Sequence, residues 1–204
     1  DPNILTEKQK TLLVEAALRH DDGHFGNTYR QDIIGGDMSN EEYAVSLLRK
    51  DFEGQLDEES LAFMEENILA TSFGQNNLDK LPENKKGYYR TYSPETDSQK
   101  LLAFADVSGF TKGWNAWADE SMRLLEESPS NTPKDIDAWI TNREGFVNYY
   151  ISELLSDLNG TLTPEYIAEL NKKLDAIKKT LSELKNPENA QRAIYTERLQ
   201  KITE

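Results

Sequence analysis

The chain is predicted to be all-α. Three observations lead there: capping residues recur just ahead of apolar runs, the apolar positions repeat at three and four residues, and no segment alternates as a half-buried strand would. Thr6 with Gln9 makes a capping box before Leu12, Leu13, Val14, Ala16, Ala17 and Leu18. Ser39 with Glu42 makes another before Tyr43, Val45, Leu47 and Leu48, and Asp57 can cap a helix carrying Leu61, Phe63, Met64, Ile68 and Leu69. Thr132-Pro133, Thr163-Pro164 and Asn186-Pro187 each set a cap residue before a proline suited to the first helical position. Gly23 to Ser39 and Gly74 to Ser98 read as loops; the second, with Tyr88, Tyr89 and Tyr92, is long enough to be a site cover or a partly disordered segment.

Residues 161–204 differ in character from residues 1–160, and the sequence divides there into a main domain and a C-terminal helical hairpin. Ile167, Leu170, Leu174, Ile177, Leu181 and Leu184 follow a heptad spacing. That seam is expected to pack on its own domain or on the helix after Pro187; the alternative is a homodimer through the C-terminal helices.

With 23 basic against 37 acidic side chains and a formal net charge of -14, the chain lacks the basic surface that long nucleic acids or anionic membranes require. Cysteine is absent, which removes disulfides, thiolate metal sites and a cysteine nucleophile, and suits a cytoplasmic location. No run approaches the roughly 18–20 apolar residues of a membrane span. The first residue is Asp1, so the chain is expected to start inside a longer product or after processing. Trp114, Trp117 and Trp139 stand at helical spacings that suit core or lid packing.

The only histidines are His20 and His24, in Leu18-Arg19-His20-Asp21-Asp22-Gly23-His24-Phe25-Gly26. An imidazole and a carboxylate side by side at a helix end can both reach one cation, or form an ordinary surface pair. His24 would project from the same side if the helix persisted, as ligand, general acid or supporting donor. Asp106 is a lone carboxylate in the apolar stretch Leu101 to Lys112. A buried aspartate there needs a partner or a metal; an exposed one would cap Ser108 or a backbone amide.

These motifs, in order, resemble the HD-domain metal-dependent phosphohydrolases, in particular the branch with the class I cyclic-nucleotide phosphodiesterases. The stretch His20 to Gly26 is similar to the family's His-Asp-x-x-His-x-Gly signature, and Ile68-Leu69-Ala70-Thr71 to the segment that follows it. Ala105-Asp106-Val107-Ser108 with Thr111-Lys112 resembles Ala-Asp-Leu-Ser-x-x-Thr-Lys, and Gly145-Phe146-Val147-Asn148-Tyr149 the Gly-Phe-x-Asp-Tyr wall of the nucleotide pocket. The resemblance covers roughly residues 5 to 158. It implies an HD-like helical bundle in which His20, Asp21 and Asp106 bind one or two divalent ions (Mg, Mn, Zn or Fe). It gives His24 the catalytic role and Phe146 and Lys112 substrate contacts; Arg143, by its own chemistry, could hold a phosphate or carboxylate of the substrate bidentately or be an ordinary surface arginine. The implied activity is hydrolysis of a phosphate ester of a nucleotide or another small phosphorylated metabolite. The alternative is a degenerate, non-catalytic HD-fold interaction module.

The departures fall on specificity and on one ligand. Arg143 stands where the phosphodiesterases carry a purine-reading glutamine, Gly109 where they carry asparagine, and Ser72 where an acidic residue follows Ala-Thr. The family's further histidine ligand lies upstream of the His-Asp pair, and no histidine precedes His20 in this chain.

Overall fold

A computed structural model of the protein describes residues 5–22, 39–72, 94–127 and 132–203. Among these residues the regular structure is helical, with one isolated bridge between Asn159 and Leu162. The all-α prediction therefore holds. The two segments read as loops lie mostly outside the described residues. By compactness the chain divides into Asp1–Asp106 and Val107–Glu204. The change of composition at residue 160 thus falls inside the second unit.

The first unit contains α1 (Glu7–Arg19), α2 (Asn40–Asp51), α3 (Glu58–Leu69) and α4 (Asp97–Asp106). The capping boxes at Thr6 and Ser39 form as the sequence indicates, and the Asp57 carboxylate accepts from the Ser60 amide at 2.8 Å. Helix α3 is central: α1, α2 and α4 all pack on it, and α4 also meets α1. The shared core is Leu12, Ala16, Ala44, Leu48, Leu61, Met64, Ile68 and Leu102. Not all of the α1 apolar run is inward. Val14 is 61% and Leu18 71% exposed, because a 3.6-residue period turns them away from the face carrying Leu12 and Ala16.

The second unit opens with a 3-10 turn, Ser108–Lys112, followed by α5 (Trp114–Glu127). Gly113 joins them at φ 96° and ψ 172°, a conformation open in practice only to glycine. Next come α6 (Ile136–Gly145), a π-helical turn (Phe146–Ile151), α7 (Ser152–Asp157), α8 (Pro164–Glu183) and α9 (Ala190–Thr203).

Thr163-Pro164 starts α8 as predicted, but the other two cap-proline pairs sit outside their helices. Asp135 caps α6 through the Ala138 amide at 2.8 Å, and Asn189 accepts from the Gln191 amide at 2.9 Å at the start of α9. In each case a carboxylate or amide oxygen two residues beyond the proline reaches the free amides first.

The heptad seam closes within its own unit. Leu170, Leu174, Ile177, Leu181 and Leu184 are all buried, and α8 packs on the 3-10 turn, α5, α6 and α7. Helix α9 packs on α5 and α6, so the two C-terminal helices serve a common core with the helices before them. The tryptophans belong to that core. Trp139 stacks on Tyr195 at 5.5 Å, and Trp114 meets both edge-on at 6.3 and 5.9 Å.

Candidate metal centre

The centre is built where two helices of the first unit end. Helix α1 stops at Arg19, and His20 caps it with helical dihedrals (φ −58°, ψ −28°) before the turn through Asp21 and Asp22. Asp106 is the last residue of α4. Its position 86 residues downstream would be uninformative without the packing of α1, α3 and α4 that brings the two ends together. Both helix C-termini place partial negative charge there, and the carboxylates add to it. A cation is the natural complement.

The His20 ring is fixed at both nitrogens. Nδ1 lies 2.7 Å from the Ala17 carbonyl oxygen. A carbonyl can only accept, so Nδ1 carries the hydrogen. Nε2 then faces Asp106 Oδ1 at 3.2 Å and Asp21 Oδ2 at 3.3 Å. A lone pair directed at two carboxylates is repelled by both unless a positive centre lies between them. A proton provides one: the hydrogen bond to Asp106, with the charge of Asp21 and the Ala17 carbonyl, raises the His20 pKa to about 9 against the opposing cost of burial. A divalent ion provides the other.

The spacing of these atoms suits an ion. Donors about 2.1 Å from one metal, subtending about 90–105°, stand about 3.0–3.3 Å apart, which matches the separations of Nε2 from Asp106 and Asp21. One ligand atom from each of the three residues lies within 4.8 Å of the others. The Nδ1–H to carbonyl bond is the orientation that metal-bound histidines use to direct the free nitrogen at the ion. Mixed imidazole and carboxylate donors suit zinc, manganese or iron, and carboxylates alone suit magnesium. His20 and Asp106 are largely enclosed, with side chains 18% and 22% exposed, whereas Asp21 at 67% marks the open side.

His24, given the catalytic role, lies outside the described residues. Phe146, Arg143 and Lys112 belong to the second unit. Phe146 stacks on Tyr150 at 5.2 Å, with the Arg143 guanidinium over its ring at 5.5 Å. Lys112 is exposed at the end of the 3-10 turn. Two neighbours of these residues lie outside the sequence motifs. The Ala17 carbonyl is signalled only by its place three residues before a helix-terminal histidine. Arg19 is signalled only by Glu15 and Asp22, which flank it at helical spacings.

Comparison of the chain with family models, with curated proteins and with solved structures finds no match.

Proposed function

We propose that the protein is a metal-dependent phosphohydrolase that acts on a phosphate ester of a nucleotide or another small phosphorylated metabolite. One observation carries this reading: His20 Nε2 is turned by the Ala17 carbonyl toward two carboxylates at spacings that suit a shared divalent ion. The ordered motifs from His20 to Tyr149 support it. A bound divalent cation supplies Lewis acidity toward a phosphate oxygen and lowers the pKa of a bound water. The chain's own contribution is to hold the donors. His20 presents a fixed lone pair, Asp106 anchors the enclosed side, and Asp21 faces the direction from which a substrate would arrive.

The test is elemental analysis of protein equilibrated with manganese or zinc and then desalted, for the wild type, His20→Ala and Asp106→Ala. Wild-type protein should retain metal and both variants should lose most of it. A wild type free of metal, or two variants that keep it, rules the centre out. The loaded protein is then assayed on phosphomonoesters and phosphodiesters of nucleotides and of small metabolites. Absence of turnover across that panel refutes catalysis and leaves a metal-binding module.

A further inference from the structure

We propose that Arg19 is the positioning residue of this metal centre, an inference that rests on the metal-binding reading of His20, Asp21 and Asp106. Arg19 Nε donates to Glu15 Oε1 at 3.1 Å, one turn back on α1. Its Nη1 donates to Asp22 Oδ2 at 3.1 Å and to Asp51 Oδ2 at 2.7 Å. The guanidinium also lies 5.5 Å from the centre of the Phe52 ring. Asp51 is the last residue of α2 and Phe52 its cap. One planar group therefore ties together the last turn of α1, the residue just after the ligand pair and the end of α2.

His20 and Asp21 lie between the two gripped points. The turn is closed twice: by the Asp22 amide donating to the Arg19 carbonyl at 2.9 Å and by the Arg19–Asp22 side-chain bond. This matters most for Asp21, whose side chain is largely exposed and meets His20 Nε2 at 3.3 Å. Metal donors need placement within about 0.5 Å of the productive geometry. A fork of rigid donors can fix that peptide, whereas a single flexible ammonium cannot grip three carboxylates and an aromatic face together.

Charge alone predicts the opposite effect, which makes the inference testable. Arg19 is a cation beside a cation site, so Coulomb repulsion disfavours the ion and its removal should tighten metal binding. Positioning predicts that removal weakens it. The experiment titrates Mn2+ into the full chain by calorimetry, at a temperature where circular dichroism shows unchanged helix, for the wild type, Arg19→Gln and Arg19→Lys.

The expected result is a dissociation constant about tenfold higher for Arg19→Gln, in the range found when groups that orient metal ligands are lost. Arg19→Lys should also bind more weakly than wild type, although its charge is unchanged. Equal or tighter binding by Arg19→Gln overturns the inference. Should Arg19→Gln lose helix, Arg19→Lys decides: weaker binding supports positioning, and wild-type affinity overturns it. A role confined to stability would lower the unfolding midpoint and leave both constants unchanged. A wild type that binds no Mn2+ defeats the metal-centre reading itself, a result read from the wild-type arm alone.

Discussion

His20 shows how one side chain can be specified from both ends. The Ala17 carbonyl assigns the hydrogen to Nδ1, and the carboxylates of Asp106 and Asp21 then demand a positive centre at Nε2. Without metal that centre is a proton, held with a pKa raised from 6.5 to about 9. The folded state then binds this proton more tightly than the unfolded chain does. Its stabilisation is fully present below pH 6.5 and is lost as pH rises through about 9. The size is about 3 kcal/mol, from roughly 1.4 kcal/mol per pH unit of difference. Urea unfolding in the presence of a chelator should therefore show wild-type stability falling between pH 6.5 and pH 9 relative to His20→Gln. Parallel curves for the two proteins would mean that the His20–Asp106 pair does not form. The His-Asp pair and the isolated Asp106 were legible in the sequence because their residue types are unusual for their surroundings. The approach of Asp106 to His20 was not, since no local rule links residues 86 positions apart.

Among the helices, local chemistry was read well where a cap could be recognised and less well where two caps competed. Thr6, Ser39, Asp57 and Thr163 start helices as their side chains dictate, each accepting from the amide three residues on. Near Pro133 and Pro187, Asp135 and Asn189 take that role instead. The seam of α8 was visible as a heptad pattern, but a heptad pattern does not name what covers it. Here the 3-10 turn, α5, α6 and α7 do, and the link Arg192–Asp137 at 2.9 Å fastens α9 to α6 beside them. Leu174, 1% exposed in that seam, gives the prediction at this scale. Leu174→Ala should cost about 2–5 kcal/mol, the range for truncating a buried leucine. The loss should be the same at all protein concentrations, because the covering atoms belong to the same chain. A loss that grows on dilution would show that a second copy contributes to the seam.

For the molecule as a whole, the acidic excess is distributed unevenly. Residues 1–106 carry 11 basic and 21 acidic side chains, while residues 107–204 carry 12 and 16. The charge therefore concentrates in the unit that holds His20, Asp21 and Asp106. Such a surface repels anions and attracts a divalent ion, so on the proposed reading a bound cation would be the condition for binding a phosphorylated substrate. Mn2+ affinity should accordingly fall several-fold as NaCl rises from about 20 to about 300 mM, where the Debye length shortens from roughly 20 Å to roughly 6 Å. A salt-independent constant in calorimetry would show that only the immediate ligands matter. No helix among the described residues is long and apolar enough to cross a membrane, in keeping with the hydropathy of the sequence.

By itself, the sequence determined the helical class, the starts of four helices, the net charge and the residue types able to hold a cation. These depend on spacing within a turn or two, where backbone periodicity and side-chain reach leave few choices. Only the tertiary structure decided that Asp106 meets His20, that Arg19 reaches Asp51, and that the α8 seam is covered by its own unit. Each of those joins residues far apart in the chain. Their proximity follows from how apolar helix faces pack together, and no short stretch of sequence contains that information.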